Sequence, residues 1–146
     1  MNRLLILIHL AAVIVWVGGM FFAHFCLRPV AAAQLLPAQR LPLLAAVLGR
    51  FFTAVGLALV LLWGSGLLRF AQAGAAIPGN WQAMAALALL MTLIFGLIVL
   101  RFHRRMVVAV AATDWPAAGQ AMNWIRQLVE VNLGLGFITL AVAVLG

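Results

Sequence analysis

The residues of this chain that could do chemistry are three histidines, one cysteine and six methionines in a very apolar background. Two of the histidines, His9 and His24, lie within a single apolar stretch, HLAAVIVWVGGMFFAHF, at 9–25. Thioether, thiol and imidazole groups suit a soft ion such as Cu(I), and imidazole also ligates haem iron. These side chains therefore either form a metal or haem site or serve ordinary helix packing.

The two histidines of this stretch belong to two different ends of one predicted helix. They are 15 residues apart, which is ~22 Å along an α-helix, so they cannot ligate one ion. With ~100° per residue, His9 shares a face with Trp16 and Met20, and polar groups on membrane helices face the bundle interior. We predict a metal site at His9, with Met20 or Met84 as a soft partner; a structural helix-end histidine is the alternative.

A second group of soft ligands is predicted at the other end of the chain's helices. His24 and Cys26 are near the end of the first apolar segment, and His103 and Met106 are near the end of the third. Such a group suits Cu(I). Methionine also fills membrane helices, and His103 lies within a basic run, so ordinary packing at an interface is the competing interpretation.

The remaining candidates are polar or small. Glu130 is four residues after Arg126 on the same helical face, which predicts an intramembrane ion pair. Small residues that allow close helix approach are Ala12, Gly19, Ala23, Gly49 and Gly56. We identify no catalytic residues: Walker loops, dinucleotide-binding turns, CxxC pairs and Ser/His/Asp sets are absent from the sequence. The chain is therefore more consistent with a binding or transport role than with an enzyme.

Composition makes this an integral membrane protein. Of its 146 residues, 68% are hydrophobic and only 8% are charged, and the mean hydropathy is +1.23. All nine basic residues are arginines near predicted helix ends, so the net charge of +7 reflects membrane orientation and not nucleic-acid binding. The apolar run at 4–27 is longer than the ~7–15 residues of a cleaved signal, so we expect it to be retained.

Four segments are long enough to cross the ~30 Å hydrocarbon core of a bilayer. They lie at 4–27, 51–68, 83–100 and 128–145, in a single domain, 1–146. The predicted fold is an all-α, integral membrane four-helix bundle with antiparallel up-down topology. We expect Arg28-Pro29 to end the first helix, a loop at 34–42, a turn at 74–80, and a cap at Thr113 or Asp114.

The arginines predict the orientation of this bundle. Seven lie on one side and only Arg3 and Arg69 on the other, so the positive-inside rule places both termini in the periplasm of a bacterial inner membrane. The seven are Arg28, Arg40, Arg50, Arg101, Arg104, Arg105 and Arg126. A cytoplasmic helical hairpin is then expected at 101–127.

Several short motifs in this order resemble small four-helix proteins of the copper-resistance protein D (CopD) type. They are HLAAVIVWVGGMFF at 9–22, LRP at 27–29, RFF at 50–52, GSGL at 64–67, DWPAA at 114–118 and NWIRQLVEVNLGLG at 123–136. A more distant resemblance, through His9, Trp16 and Gly19, is to HemJ-type protoporphyrinogen oxidases, in which the matching histidine is associated with haem. Where CopD-type relatives often have a histidine at the start of the third span, this chain has WQAM at 81–84, with Met84 or Met91 as soft substitutes.

The resemblance implies copper uptake or homeostasis in the inner membrane, with copper as the bound metal. Its expected partners are the lipid bilayer and either a periplasmic copper-binding protein or a second copy of the chain, without nucleic acid. The alternatives are a b-type haem redox protein, as the HemJ resemblance implies, and a membrane assembly subunit without a cofactor.

Overall fold

The computed structural model describes residues 2–146, and the fold is all-α, as predicted. Its four helices are α1 (Arg3–Gln34), α2 (Pro37–Ala73), α3 (Gly79–Ala111) and α4 (Trp115–Leu145). Each is long and apolar enough to cross a membrane. Even the shortest, at 31 residues, extends for ~46 Å, so every helix is longer than the hydrocarbon core needs.

The connection between α1 and α2 is much shorter than predicted. Only Leu35 and Leu36 join the two helices, and both have extended backbones. The predicted helix end at Arg28-Pro29 is wrong, because a π-helical turn at Phe22–Leu27 precedes it and Pro29 lies in the first turn of the segment that follows. A proline there needs no backbone N–H donor. The break falls instead before Pro37, which restricts Leu36 to extended geometry.

The other two connections lie where the sequence predicts them. Gly74 has φ +62°, a conformation suited to glycine, and the turn continues to Pro78 before α3 begins at Gly79. Ala112, Thr113 and Asp114 join α3 to α4. The Asp114 carboxylate accepts a hydrogen bond from the Ala117 N–H at 3.2 Å, which confirms the predicted cap.

Contacts between consecutive helices pair the start of one with the end of the next. In α1 and α2, His9 lies beside Ser65 and Gly19 lies beside Phe51. The same order holds for α2 with α3 and for α3 with α4. The pairs are Phe70 with Trp81, Ala45 with His103, Phe102 with Trp124, and Met91 with Asn132. Consecutive helices are therefore antiparallel neighbours.

The tightest packing is in the part of the bundle that contains the end of α3, the first half of α2 and the start of α4. The largest fully buried side chains are Ile98, Met106, Ile125, Val55 and Asn132. Elsewhere large apolar residues face outward, for example Leu57, Leu93 and Leu100, each more than 60% exposed. Such an exposed apolar surface is stable in lipid and unfavourable in water.

Candidate functional site

A cavity of about 290 Å³ lies between the four helices near the first turns of α1 and α3. Its walls are mostly aliphatic and aromatic side chains. The lining residues that could act chemically are His9, Trp16, Trp63, Arg69, Asn80, Trp81, Met84, Met91 and Thr139. The cavity therefore combines one imidazole, two thioethers and one guanidinium in an apolar setting, which is the composition expected of a ligand site.

His9 has a fixed ring orientation in this cavity. Its Nδ1 lies 3.0 Å from the Ser65 hydroxyl oxygen, and that hydroxyl donates to the Leu62 carbonyl oxygen at 3.1 Å. Because Ser65 has a single hydroxyl proton, we assign Nδ1–H as the donor to Ser65, which leaves the lone pair on Nε2. Histidines that ligate metals typically donate their other ring N–H to a neighbouring group in this way, which fixes the tautomer and the ring orientation.

The three candidate methionines are placed differently. Met84 lines the cavity with His9, as does Met91, whose sulfur lies 3.8 Å from the Thr139 hydroxyl. Met20 does not line it but is 2% exposed in the main core. A π-helical turn at Ile14–Gly18 lies between His9 and Met20, and its wider winding removes the face that a 3.6-residue period predicts. We therefore withdraw Met20 as a partner of His9.

Aromatic and cationic side chains surround the same cavity. The Arg69 guanidinium lies 4.5 Å from the centre of the Trp81 ring, and Trp81 also contacts Phe70. Trp63 donates from Nε1 to the Thr92 hydroxyl at 3.1 Å, so it is bonded inside the bundle. The wall of the cavity at this end is therefore formed by an arginine packed on an aromatic ring.

The second group of soft ligands does not assemble. His103 Nε2 lies 3.0 Å from the Ala45 carbonyl oxygen, and its ring contacts Phe52 edge-on. Met106 is fully buried among apolar residues, whereas Cys26 is exposed. Across residues 2–146, no three His, Cys, Asp or Glu side chains come together in a way that could hold a metal ion. His103 and Met106 therefore serve helix packing.

The predicted pair of Glu130 and Arg126 is also replaced by other contacts. Arg126 donates to the Asn123 side-chain oxygen from Nε at 3.3 Å and from Nη2 at 2.9 Å. Glu130 is exposed. Arg126 and Glu130 both lie within Coulombic range of His24 and Arg28 on α1. These four form a polar surface patch between α1 and α4, far from the cavity.

Most of the small residues that were predicted to allow close helix approach lie against a neighbouring helix. Ala12 packs with Ala58 and Leu62, and a Cβ at Gly49 would lie 3.5 Å from the His103 ring. Ala23 is half-buried. Gly56 is an exception, because a Cβ there would have no neighbour within 4 Å. Between α1 and α4, a Cβ at Gly136 would come within 3.1 Å of Val17, so this glycine sets the approach of those two helices.

Two features of the site are not evident from the sequence. Ser65 is 56 residues from His9, and no local pattern pairs them. The π-helical turns at Ile14–Gly18, Phe22–Leu27 and Ile98–His103 have no sequence signature, and each changes which residues face the bundle. The GSG motif at 64–66 was the available signal, since Gly66 beside this serine also faces His9: a Cβ there would lie 3.7 Å from Cε1 of the His9 ring.

No protein-family model, curated protein or solved structure matches this chain. Function is therefore inferred from the side chains of the cavity. The cavity is lined by His9, to which we assign a lone pair on Nε2, and by the thioether side chains of Met84 and Met91. These groups can bind a soft cation, and the imidazole by itself can ligate haem iron.

Proposed function

We propose that this chain is a multi-pass membrane protein of copper handling, and that the cavity between its helices binds Cu(I) as cargo for uptake or homeostasis. One observation carries the proposal: His9, oriented through Nδ1 by Ser65, lines the same cavity as Met84. The resemblance of the sequence motifs to CopD-type proteins points the same way.

The donor set of the cavity fits a soft monovalent ion. Thioether and imidazole ligands select Cu(I) over hard cations, which prefer carboxylate and carbonyl oxygens. His9 and Met84 would hold the ion, and Met91 offers a second sulfur. Since Arg69 repels a cation, the ion has to be held by its soft ligands and not by a negative electrostatic field.

The orientation of the bundle belongs to the same proposal. The seven arginines at the ends away from the cavity would face the cytoplasm of a bacterial cell. Both termini and the cavity would then face the periplasm. Copper would reach His9 from that side, delivered by a periplasmic copper-binding protein or shared with a second copy of the chain.

Haem b is the second candidate ligand. The observation that favours it is Arg69, because a guanidinium in a cavity with a histidine could pair with a porphyrin carboxylate. The size of the cavity argues against haem. A cavity of about 290 Å³ lies at the lower end of the ~300–1,000 Å³ range of small-molecule pockets, so a porphyrin would require the helices to separate.

We expect detergent-purified protein to bind about one equivalent of Cu(I) under reducing conditions. His9→Ala should remove most of this binding, because it deletes the only imidazole of the cavity, whereas His24→Ala on the same helix should keep it. The measurement is a competition titration against a Cu(I) chelator, with an absorption spectrum of the same sample. A Soret band in protein purified without added haem would favour haem instead, and a colourless protein that binds no copper would favour an assembly subunit.

A second expected result concerns the hydrogen bond that orients His9. Ser65→Ala should weaken Cu(I) binding by about 10–100-fold, since removing the hydrogen-bond partner that orients a ligating histidine has effects of this size on metal sites. Thr53→Ala is the matched control on α2, because the Thr53 hydroxyl donates only to the Gly49 carbonyl of its own helix. Equal losses in the two variants, measured by the same titration, would rule out the assigned role of Ser65.

A further inference from the structure

A second concave surface lies about 30 Å along α3 from the cavity, counted from Trp81 to Arg101. It is a groove of about 690 Å³ between the last turns of α3 and the first turns of α4. Three arginines line it, Arg101, Arg104 and Arg105, together with apolar side chains. Neither the metal candidates nor the proposed copper function uses this groove.

The charge of the groove is strongly positive. All three arginines are exposed, and the Arg101 guanidinium lies 5.7 Å from the centre of the Phe102 ring. The one acidic residue of the lining, Asp114, accepts the Ala117 N–H and so caps α4. Guanidinium groups bind phosphate with two parallel hydrogen bonds, so a cluster of this kind suits a phosphate ligand.

The apolar residues of the groove indicate which kind of molecule carries the phosphate. Leu100 and Val108 are 68% and 69% exposed. The Trp124 ring stacks on Phe102 with a separation of 5.6 Å and remains 48% exposed. These side chains lie beside the arginines, where the apolar segment 83–100 of α3 ends. A free anion would gain nothing from them, whereas an acyl chain would bury them.

We propose that this groove is a binding site for an anionic phospholipid. The headgroup phosphate lies against Arg104 and Arg105, and the first part of an acyl chain packs on Leu100 and Trp124. Basic pockets between membrane helices have this property, and each arginine near an anionic surface contributes about 1 kcal/mol. The site is independent of the cavity, so it stands whether or not the protein binds copper.

The test is native mass spectrometry of the detergent-purified chain, titrated with phosphatidylglycerol or with phosphatidylcholine. We expect phosphatidylglycerol to bind more tightly, and R104Q/R105Q to weaken it by about 30-fold. The control R40Q/R50Q removes the same charge outside the groove and should change binding little. R104K/R105K keeps the charge but not the paired hydrogen bonds, so it should weaken binding less than R104Q/R105Q does, which separates loss of charge from loss of fold.

Three results would overturn this proposal. Equal affinity for the two lipids would mean that the net negative charge of the lipid does not contribute to binding, so the groove would not be a site for anionic phospholipid. An equal loss in R40Q/R50Q would mean that net charge alone attracts the lipid. Displacement of bound phosphatidylglycerol by inorganic phosphate at the same concentration would identify a free phosphate site. Retention of the lipid under that competition supports the site as proposed.

Discussion

Met106→Ala is expected to lower the free energy of unfolding by about 2–5 kcal/mol, the range for methionine truncation in a packed core. Met106 is 0% exposed and packs where the end of α3 meets the start of α4. It lies beyond the apolar segment 83–100, and its side chain is surrounded by protein and not by lipid. Truncation therefore leaves a cavity that lipid does not fill. Denaturant titration in detergent micelles measures the change.

Two controls separate this packing role from the metal-ligand role that the sequence also allowed. Met106→Leu keeps the volume and should cost less than about 1.5 kcal/mol. Both variants should bind as much Cu(I) as the unmodified protein, because Met106 is not a lining residue of the cavity. Loss of copper from a Met106→Ala protein of unchanged stability would reinstate methionine as a ligand.

Gly19→Leu is expected to destabilise the bundle by about 1–3 kcal/mol or more, through overpacking between α1 and α2. Even a Cβ at this position would overlap the ring of Phe51. The Phe51 ring cannot move freely, since it contacts Phe52, which in turn contacts Phe95 and His103. The added side chain must therefore displace an aromatic cluster or separate the two helices. Unfolding in a detergent titration measures the cost.

The neighbouring glycine provides the matched control. A Cβ at Gly18 would have no heavy atom within 4 Å, and Gly18 is exposed. Gly18→Leu should therefore leave stability nearly unchanged, or raise it slightly, because leucine has the higher helix propensity. Similar losses from both substitutions would mean that glycine at these positions acts through backbone conformation and not through the approach of α2.

The proposal for the cavity and the proposal for the groove are tested by different ligands at opposite ends of the bundle. Copper binding depends on His9 and Ser65, whereas lipid binding depends on Arg104 and Arg105. None of these substitutions changes a residue that the other site uses. A variant that loses one ligand and keeps the other therefore also shows that the fold is intact.

The sequence by itself determined the class of the protein and its local breaks. Apolar segments of about 20 residues have only one stable arrangement in a bilayer, so four such segments predict four membrane helices. The turn at Gly74 and the cap at Asp114 depend on residues within four positions of each other, and both were predicted. The inward face of Trp16 was also predicted from the helical period, and Trp16 is buried in the structure.

Only the tertiary structure decided which side chains meet. The Ser65 hydroxyl reaches His9 because α1 and α2 are antiparallel and close, and this contact spans 56 residues of sequence. Met20 leaves the His9 face because a π-helical turn changes the winding between them, and the packing of neighbouring helices stabilises such turns. Arg126 bonds to Asn123 in place of Glu130, although both are on one helical face. Helical period limits which residues can meet, but the approach of the neighbouring helices selects among them.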